Sequence, residues 1–131
     1  MEDSLKSIMD LDASQMRNMW RFEFIGEPGI DAGGVAREWF QLVSEDIFHP
    51  DFGLWQYSAV NQMCMQINAS SGVANGDHLR YFRFTGRILG KALFDGQLIA
   101  AHMIRHLYKH LLGWPLMFDD IEMIDSSVHR R

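Results

Sequence analysis

A chain of 131 residues that is 47% hydrophobic and 12% aromatic has material for a buried core, which argues against a disordered segment. Its formal net charge of -5 disfavours nucleic acid, whose phosphates call for a basic face, and no apolar run approaches the roughly 20 residues of a membrane span. A single Cys excludes a disulfide framework, and the acidic start Met1-Glu2-Asp3-Ser4 lacks the apolar stretch of a signal peptide. The expectation is therefore a soluble, cytoplasmic chain of single-domain length, in which Asn68-Ala69-Ser70 is a chance match to the glycosylation sequon.

Ser4 to about Trp20 reads as helical, with a break near Asp12-Ala13-Ser14, where Asp and Ser suit a new N-cap. Arg21 to Ile25 alternates, Phe22 and Phe24 on one face and Arg21 and Glu23 on the other, which predicts a half-buried strand. Gly26-Glu27-Pro28-Gly29 is a turn signal. Asp31-Ala32-Gly33-Gly34 then opens a helix with Val35, Trp39, Leu42, Val43 and Ile47 at helical spacing, stopped by Pro50.

Two short strands follow as a hairpin joined by Ala59 to Gln62. Trp55 and Tyr57 share one face of the first; Met63, Met65 and Ile67 share one face of the second, with Cys64 mid-strand. Gly72 to Asp77 reads as a loop, and Asp77 as the cap of an amphipathic helix. That helix puts Phe82, Gly86, Leu89 and Leu93 on one side and Arg80, Arg83, Arg87 and Lys91 on the other, with Gly86 and Gly90 spaced for a close backbone approach. Leu98 to Leu112 reads as another helix with an Ala100, Ile104, Leu107 and Leu111 stripe, ended by Gly113 and Pro115. Asp119-Asp120-Ile121-Glu122 opens a last short helix, and Ser126 to Arg131 reads as a frayed tail. The class is α+β, mainly helical, with one short β-hairpin and one additional strand.

None of the possible chemical groups outweighs its structural reading. Cys64 has no His or Lys close in sequence to lower its thiolate pKa, so it reads as a small hydrophobe. His102, His106 and His110 would share one face of a helix, but the spacing lacks the Glu of a zincin and falls opposite the apolar stripe. Asp31-Ala32-Gly33-Gly34 lacks the Lys-Ser/Thr of a phosphate loop. The Arg80, Arg83, Arg87 and Lys91 stripe reads as the wet side of a helix. No metal ligands and no cofactor are expected.

The order of several motifs says more. Phe22-Glu23-Phe24-Ile25-Gly26-Glu27-Pro28-Gly29-Ile30-Asp31-Ala32-Gly33-Gly34-Val35-Ala36-Arg37-Glu38-Trp39-Phe40 resembles the signature near the start of a HECT domain. In the same order come Phe48-His49-Pro50-Asp51-Phe52-Gly53-Leu54-Trp55-Gln56-Tyr57-Ser58, Gln66-Ile67-Asn68-Ala69-Ser70-Ser71-Gly72 and Asp77-His78-Leu79-Arg80-Tyr81-Phe82-Arg83-Phe84-Thr85-Gly86-Arg87. Gly90-Lys91-Ala92-Leu93-Phe94-Asp95-Gly96, Tyr108-Lys109 with Leu111-Leu112-Gly113, and Asp120-Ile121-Glu122 with Asp125 complete the series. The spelling is most similar to the branch whose full proteins carry WW domains.

The resemblance implies that residues 1–131 are the start of a HECT N-lobe, without the subdomain that grips the ubiquitin-conjugating enzyme and without the C-lobe that carries the catalytic Cys. HECT ligases take ubiquitin onto a cysteine as a thioester and pass it to a substrate lysine. The expected function is therefore a fragment of a ubiquitin-protein ligase, inactive alone, with no catalytic residue of its own. Conjugating enzyme and substrate proteins would be partners of the full-length ligase only. Gly26, Gly29, Gly33 and Gly34 would shape the turn before the third helix, and Trp39, Phe40, Phe82 and Leu93 would be core. Some members of the WW-carrying branch hold a second ubiquitin non-covalently, and Met63, Asn75 and Tyr81 would lie in that surface, Met63 standing where an aromatic is usual. The alternative is a stand-alone ubiquitin-binding module or competitor of a full ligase.

Overall fold

The computed structural model describes residues 1–28 and 32–124. Gly29, Ile30 and Asp31 of the expected turn, and the expected tail from Asp125, lie outside them. The helices are α1 (Glu2–Met9), α2 (Ala13–Arg17), α3 (Ala32–Phe48), α4 (Ser71–Ala74), α5 (His78–Asp95) and α6 (Arg105–Leu111), with 3-10 turns at Pro50–Phe52 and Phe118–Met123. The strands β1 (Trp55–Tyr57) and β2 (Met65–Ile67) form an antiparallel pair. The class is the expected α+β, mainly helical. Contacts divide the chain into two compact units, Met1–Ile47 with Asp77–Ala100, and Phe48–Gly76 with Ala101–Arg131.

In the first unit, Asp12 restarts the helix as the sequence predicts. Its carboxylate accepts the N–H groups of Ser14 and Gln15, both at 2.8 Å, while the Gln15 side chain accepts the Asp12 N–H at 2.8 Å. The hydrogen bond from Gln15 N–H, with those from Ser14, holds the Asp12 carboxyl below its ordinary pKa. α3 buries Trp39, Phe40, Val43, Ser44 and Ile47, the face its periodicity predicts apart from the half-exposed Leu42. Phe22 stacks on Trp39 at 4.5 Å between centroids, and Phe40 meets the same Trp39 edge-on at 5.0 Å. Phe22 and Phe24 are half-buried and Arg21 and Glu23 exposed, so the alternation is correct. The strand is not: residues 21–25 join no ladder among the described residues.

α5 departs from its expected orientation. The buried side carries Phe84, Thr85, Ile88, Lys91 and Ala92, whereas Leu93 is 86% exposed and Phe82 only half-buried. Trp39 and Phe40 are core as expected; Phe82 and Leu93 are not. Two of the basic residues expected to face water serve the interior instead. The Arg87 guanidinium donates to the carbonyls of Ile8 and Leu11 at 2.6 and 2.7 Å, satisfying acceptors at the end of α1. The Lys91 ammonium is buried, donates to the Asn18 carbonyl at 2.5 Å, pairs with Asp95 at 3.1 Å and sits 4.7 Å from the Trp20 ring centroid.

Gly86 and Gly90 admit no close neighbour, contrary to their spacing, since a Cβ at either would meet nothing within 4 Å. Helix interiors favour Ala over Gly by about 0.5–1 kcal/mol, so Gly86→Ala is expected to raise the unfolding free energy by that much, seen as a higher denaturant midpoint at an unchanged m-value. Destabilisation by Gly86→Ala in a urea titration would show that this side of α5 is sterically closed.

In the second unit the hairpin pairs Trp55 with Ile67, Gln56 with Gln66 and Tyr57 with Met65. Ser58 N–H donates to the Cys64 carbonyl at 2.8 Å just beyond the last pair. The helix predicted from Leu98 begins only at Arg105. Gly96 (φ 68°) ends α5, and residues 102–104 instead run beside β2, with Met65 N–H donating to the His102 carbonyl at 2.6 Å and Ile104 N–H to the Met65 carbonyl at 3.0 Å. Those backbone groups are committed to the sheet and cannot enter a helix. The segment expected as a loop after Gly72 contains the single turn α4. Gly53 (φ 83°) turns the chain into β1 directly against this turn, since a Cβ there would lie 2.5 Å from Ala74 Cβ.

The last turn starts at Phe118, one residue before Asp119, with Met117 as its N-cap, and Asp120 rather than Asp119 reaches back to accept the Met117 N–H at 2.8 Å. Lys109 of α6 donates to both Asp120 oxygens at 2.8 and 2.9 Å. Those Lys109 bonds, then the Met117 N–H, hold the Asp120 carboxyl below its ordinary pKa of 3.8. His106, one residue into α6, is held below the ordinary 6.5 by burial, against the opposing pull of Asp120. Both folded pKa values are depressed, so both groups support the fold above their unfolded values and withdraw support as pH falls. Protection factors at Met117 and along α6, taken relative to the intrinsic exchange rate at each pH, are expected to fall first below about pH 6.5 through His106, then again below the ordinary aspartate value of 3.8. In Asp120→Asn the second step should vanish and the first remain. An unchanged profile in that variant would refute the assignment.

Candidate functional site

The residues linking β1 to β2 form a hydrogen-bonded tip. The buried Ser58 hydroxyl oxygen accepts the N–H groups of Val60 and Asn61, both at 3.3 Å, which turns the chain out of β1. Asn61 then takes over: its side-chain oxygen accepts the Met63 N–H at 3.0 Å, its carbonyl accepts the Cys64 N–H at 2.9 Å, and its amide nitrogen donates to Cys64 Sγ at 3.4 Å. Met63 rides on this tip outside β2 and is 81% exposed. Single exposed apolar side chains are ordinary on soluble surfaces, and Met19, Val73 and Leu98 are more open still.

Asn75 is the C-cap of α4, half-buried and extended (φ −144°, ψ 114°), with its N–H on the Ser71 carbonyl at 2.8 Å. Tyr81, half-buried, lies in the first turn of α5 with its N–H on the Asp77 carbonyl at 3.1 Å. Of the three expected site residues, Met63 and Asn75 therefore belong to the second unit and Tyr81 to the first.

Cys64 precedes β2 rather than sitting within it, half-buried, its sulfur taken by the Asn61 amide. The three His do not share a helical face: His102 lies in the stretch beside β2, and only His106 and His110 are in α6. The His106 Nδ1 is buried with no hydrogen-bond partner among the described residues. No group of three His, Cys, Asp or Glu placed to hold a metal ion occurs among the described residues. None of their helices is long and apolar enough to cross a membrane. A groove of about 520 Å³ opens in the first unit between the N-terminal helices and residues 18–24, lined by Ile8, Leu11, Met19, Phe24 and Trp39 among others; it contains none of the expected site residues. Ser58 and Asn61, which shape the tip, were not among the expected site residues. Their signal in the sequence is Ser and Asn three apart between two strand patterns.

Residues 41–131 match the family described as HECT-domain (ubiquitin-transferase). The chain is 44% identical over 131 residues to the human protein named E3 ubiquitin-protein ligase NEDD4, an alignment that covers 98% of this chain and 10% of that protein. It is 42% identical to the Drosophila melanogaster E3 ubiquitin-protein ligase Nedd-4, covering 98% of this chain and 13% of the relative. Against the Drosophila melanogaster E3 ubiquitin-protein ligase Smurf1 the identity is 45% over 129 residues, covering 98% and 12%. The chain thus spans little more than a tenth of the length of these relatives.

Proposed function

Because the chain belongs to the HECT-domain (ubiquitin-transferase) family, we propose that it serves as the opening part of the N-lobe of a ubiquitin-protein ligase, and that the thioester chemistry is carried by a cysteine other than Cys64. The observation that carries this reading is the match itself, which runs with 98% coverage of the chain through relatives named as ubiquitin-protein ligases. The surroundings of Cys64 support the second half. A thiol that accepts ubiquitin must be presented to the donor thioester beside a group that favours the thiolate. Cys64 is half-buried in a hairpin tip with a neutral amide as its hydrogen-bond donor. In this reading the domain extent is residues 1–131 of an N-lobe, and conjugating enzyme and substrate are engaged by other parts of the ligase.

The part played by this chain is non-covalent. Met63 on the hairpin tip and Asn75, both of the second unit, are offered to a second ubiquitin, and Tyr81 of the first unit is the third residue proposed to contact it. The exposure of Met63 supports it, since an apolar side chain held in water gains by being covered.

Incubation with a conjugating enzyme already charged with ubiquitin tests the covalent half: no thiol-sensitive adduct is expected, and an adduct lost in Cys64→Ala would overturn it. Titration of ¹⁵N-labelled ubiquitin with the chain tests the other half, saturable shifts being expected and a flat titration from a folded sample refuting it.

A further inference from the structure

We propose that Asn61 is a positioning residue for ubiquitin capture: it touches no ligand itself but holds the Met63 backbone so that the thioether stands in water before binding. The inference rests on the reading that Met63 contacts ubiquitin, and deepens it by assigning what presents that contact.

The tip between β1 and β2 has no apolar packing to hold its outer residues; Val60, Asn61, Gln62 and Met63 are all exposed. Its shape therefore depends on hydrogen bonds, and four of them pass through Asn61. The Ser58 hydroxyl oxygen receives the Asn61 N–H, the Asn61 carbonyl receives the Cys64 N–H, and the two ends of the Asn61 amide divide the rest between Met63 N–H and Cys64 Sγ. The Met63 bond is the one that orients the anchor. Without an acceptor at 3.0 Å its N–H would turn to water, and the residue would sample several backbone conformations, only some of which project the side chain as here. Binding would then have to order the tip, and affinity falls by that ordering cost.

The two halves of the side chain are separable by chemistry. Asp at position 61 keeps an acceptor for the Met63 N–H and loses the donor to Cys64 Sγ; Ala loses both. Sulfur is a weak acceptor, so the acceptor half should dominate.

The experiment is the ubiquitin titration repeated with Met63→Ala, Asn61→Ala and Asn61→Asp, each checked for native dispersion in its own amide spectrum. Met63→Ala is expected to weaken binding about ten-fold, as removal of a buried anchor does. Asn61→Ala should weaken it about five-fold, the size of one lost hydrogen bond, with fast exchange appearing at the Met63 amide. Asn61→Asp should restore binding to within about two-fold of the parent, a rescue that a loss of general stability would not give. If Met63→Ala binds like the parent, the surface reading fails and this inference fails with it. If Met63→Ala weakens binding while Asn61→Ala does not, the surface stands and the positioning role is overturned. Equal weakening by Ala and Asp at position 61 also overturns it.

Discussion

Lys91→Ala is expected to destabilise the chain by about 3 kcal/mol, because it deletes one partner of a buried ion pair together with a hydrogen bond. The side chain is 1% exposed, and its ammonium is matched by the Asn18 carbonyl, the Asp95 carboxylate and the face of Trp20. Asp95 keeps 27% of its side-chain surface in water, so its charge can be rehydrated, and the loss belongs at the low end of what a broken buried pair costs. For a domain of this size the same change lowers the melting temperature by roughly 10 °C. Lys91→Met should recover a part of it, since the aliphatic stem packs apart from its charge. A thermal scan in which Lys91→Ala melts within about 2 °C of the parent would mean that the residue is solvated, as a helical-wheel reading suggests.

Gly53→Ala should be nearly as damaging, at about 3 kcal/mol, for a different reason. Its φ of 83° places a Cβ against its own carbonyl, which costs about 1–2 kcal/mol in any L-residue. The remainder comes from the overlap with Ala74 Cβ at 2.5 Å, which only a shift of α4 can relieve. The two contributions separate in a double-mutant cycle. Ala74→Gly removes the opposing methyl, so Gly53→Ala in that background should cost only the backbone share. Identical costs in both backgrounds would show that the overlap relaxes freely and that φ alone sets the requirement.

How much of this was legible in the sequence depends on whether the deciding interaction was local. The Asp12 cap is a three-residue matter and legible, as are most of the α3 stripe and the first strand; the second strand begins at Met65, two residues later than the alternation from Met63 suggests. The alternation of Phe22 and Phe24 was read correctly, but pairing is a property of a second segment, and no such segment pairs with residues 21–25 among the described residues. α5 misled because it is apolar on more than one side. Phe82, Leu89 and Leu93 satisfy the helical period as well as Phe84, Ile88 and Ala92 do, and the basic residues then count as the wet side. Lys91 departs from that pattern because its carbonyl partner lies 73 positions away in sequence. The same applies to Leu98–Ile104, where a helical pattern yielded to hydrogen bonds with Met65. For the site, motif order identified the family, and the ubiquitin contacts proposed at Met63, Asn75 and Tyr81 rest on that resemblance. The hydrogen bonds by which Ser58 and Asn61 build the tip needed coordinates.

The interleaving of the two units has a consequence for synthesis on the ribosome. Trp20 and Asn18 emerge well before Lys91, and at roughly 5–20 residues per second the 73 positions between Asn18 and Lys91 take about 4 to 15 seconds to translate. Throughout that interval the nascent chain carries α1, α2 and Trp20 without the helix whose Arg87 and Lys91 satisfy their carbonyls and face that ring. Residues 48–76 of the second unit leave the ribosome during the same wait, while its stretch from Ala101 onward is still unmade. Neither unit can close before the chain passes residue 100, so several seconds of synthesis pass with half of each unit waiting for its complement.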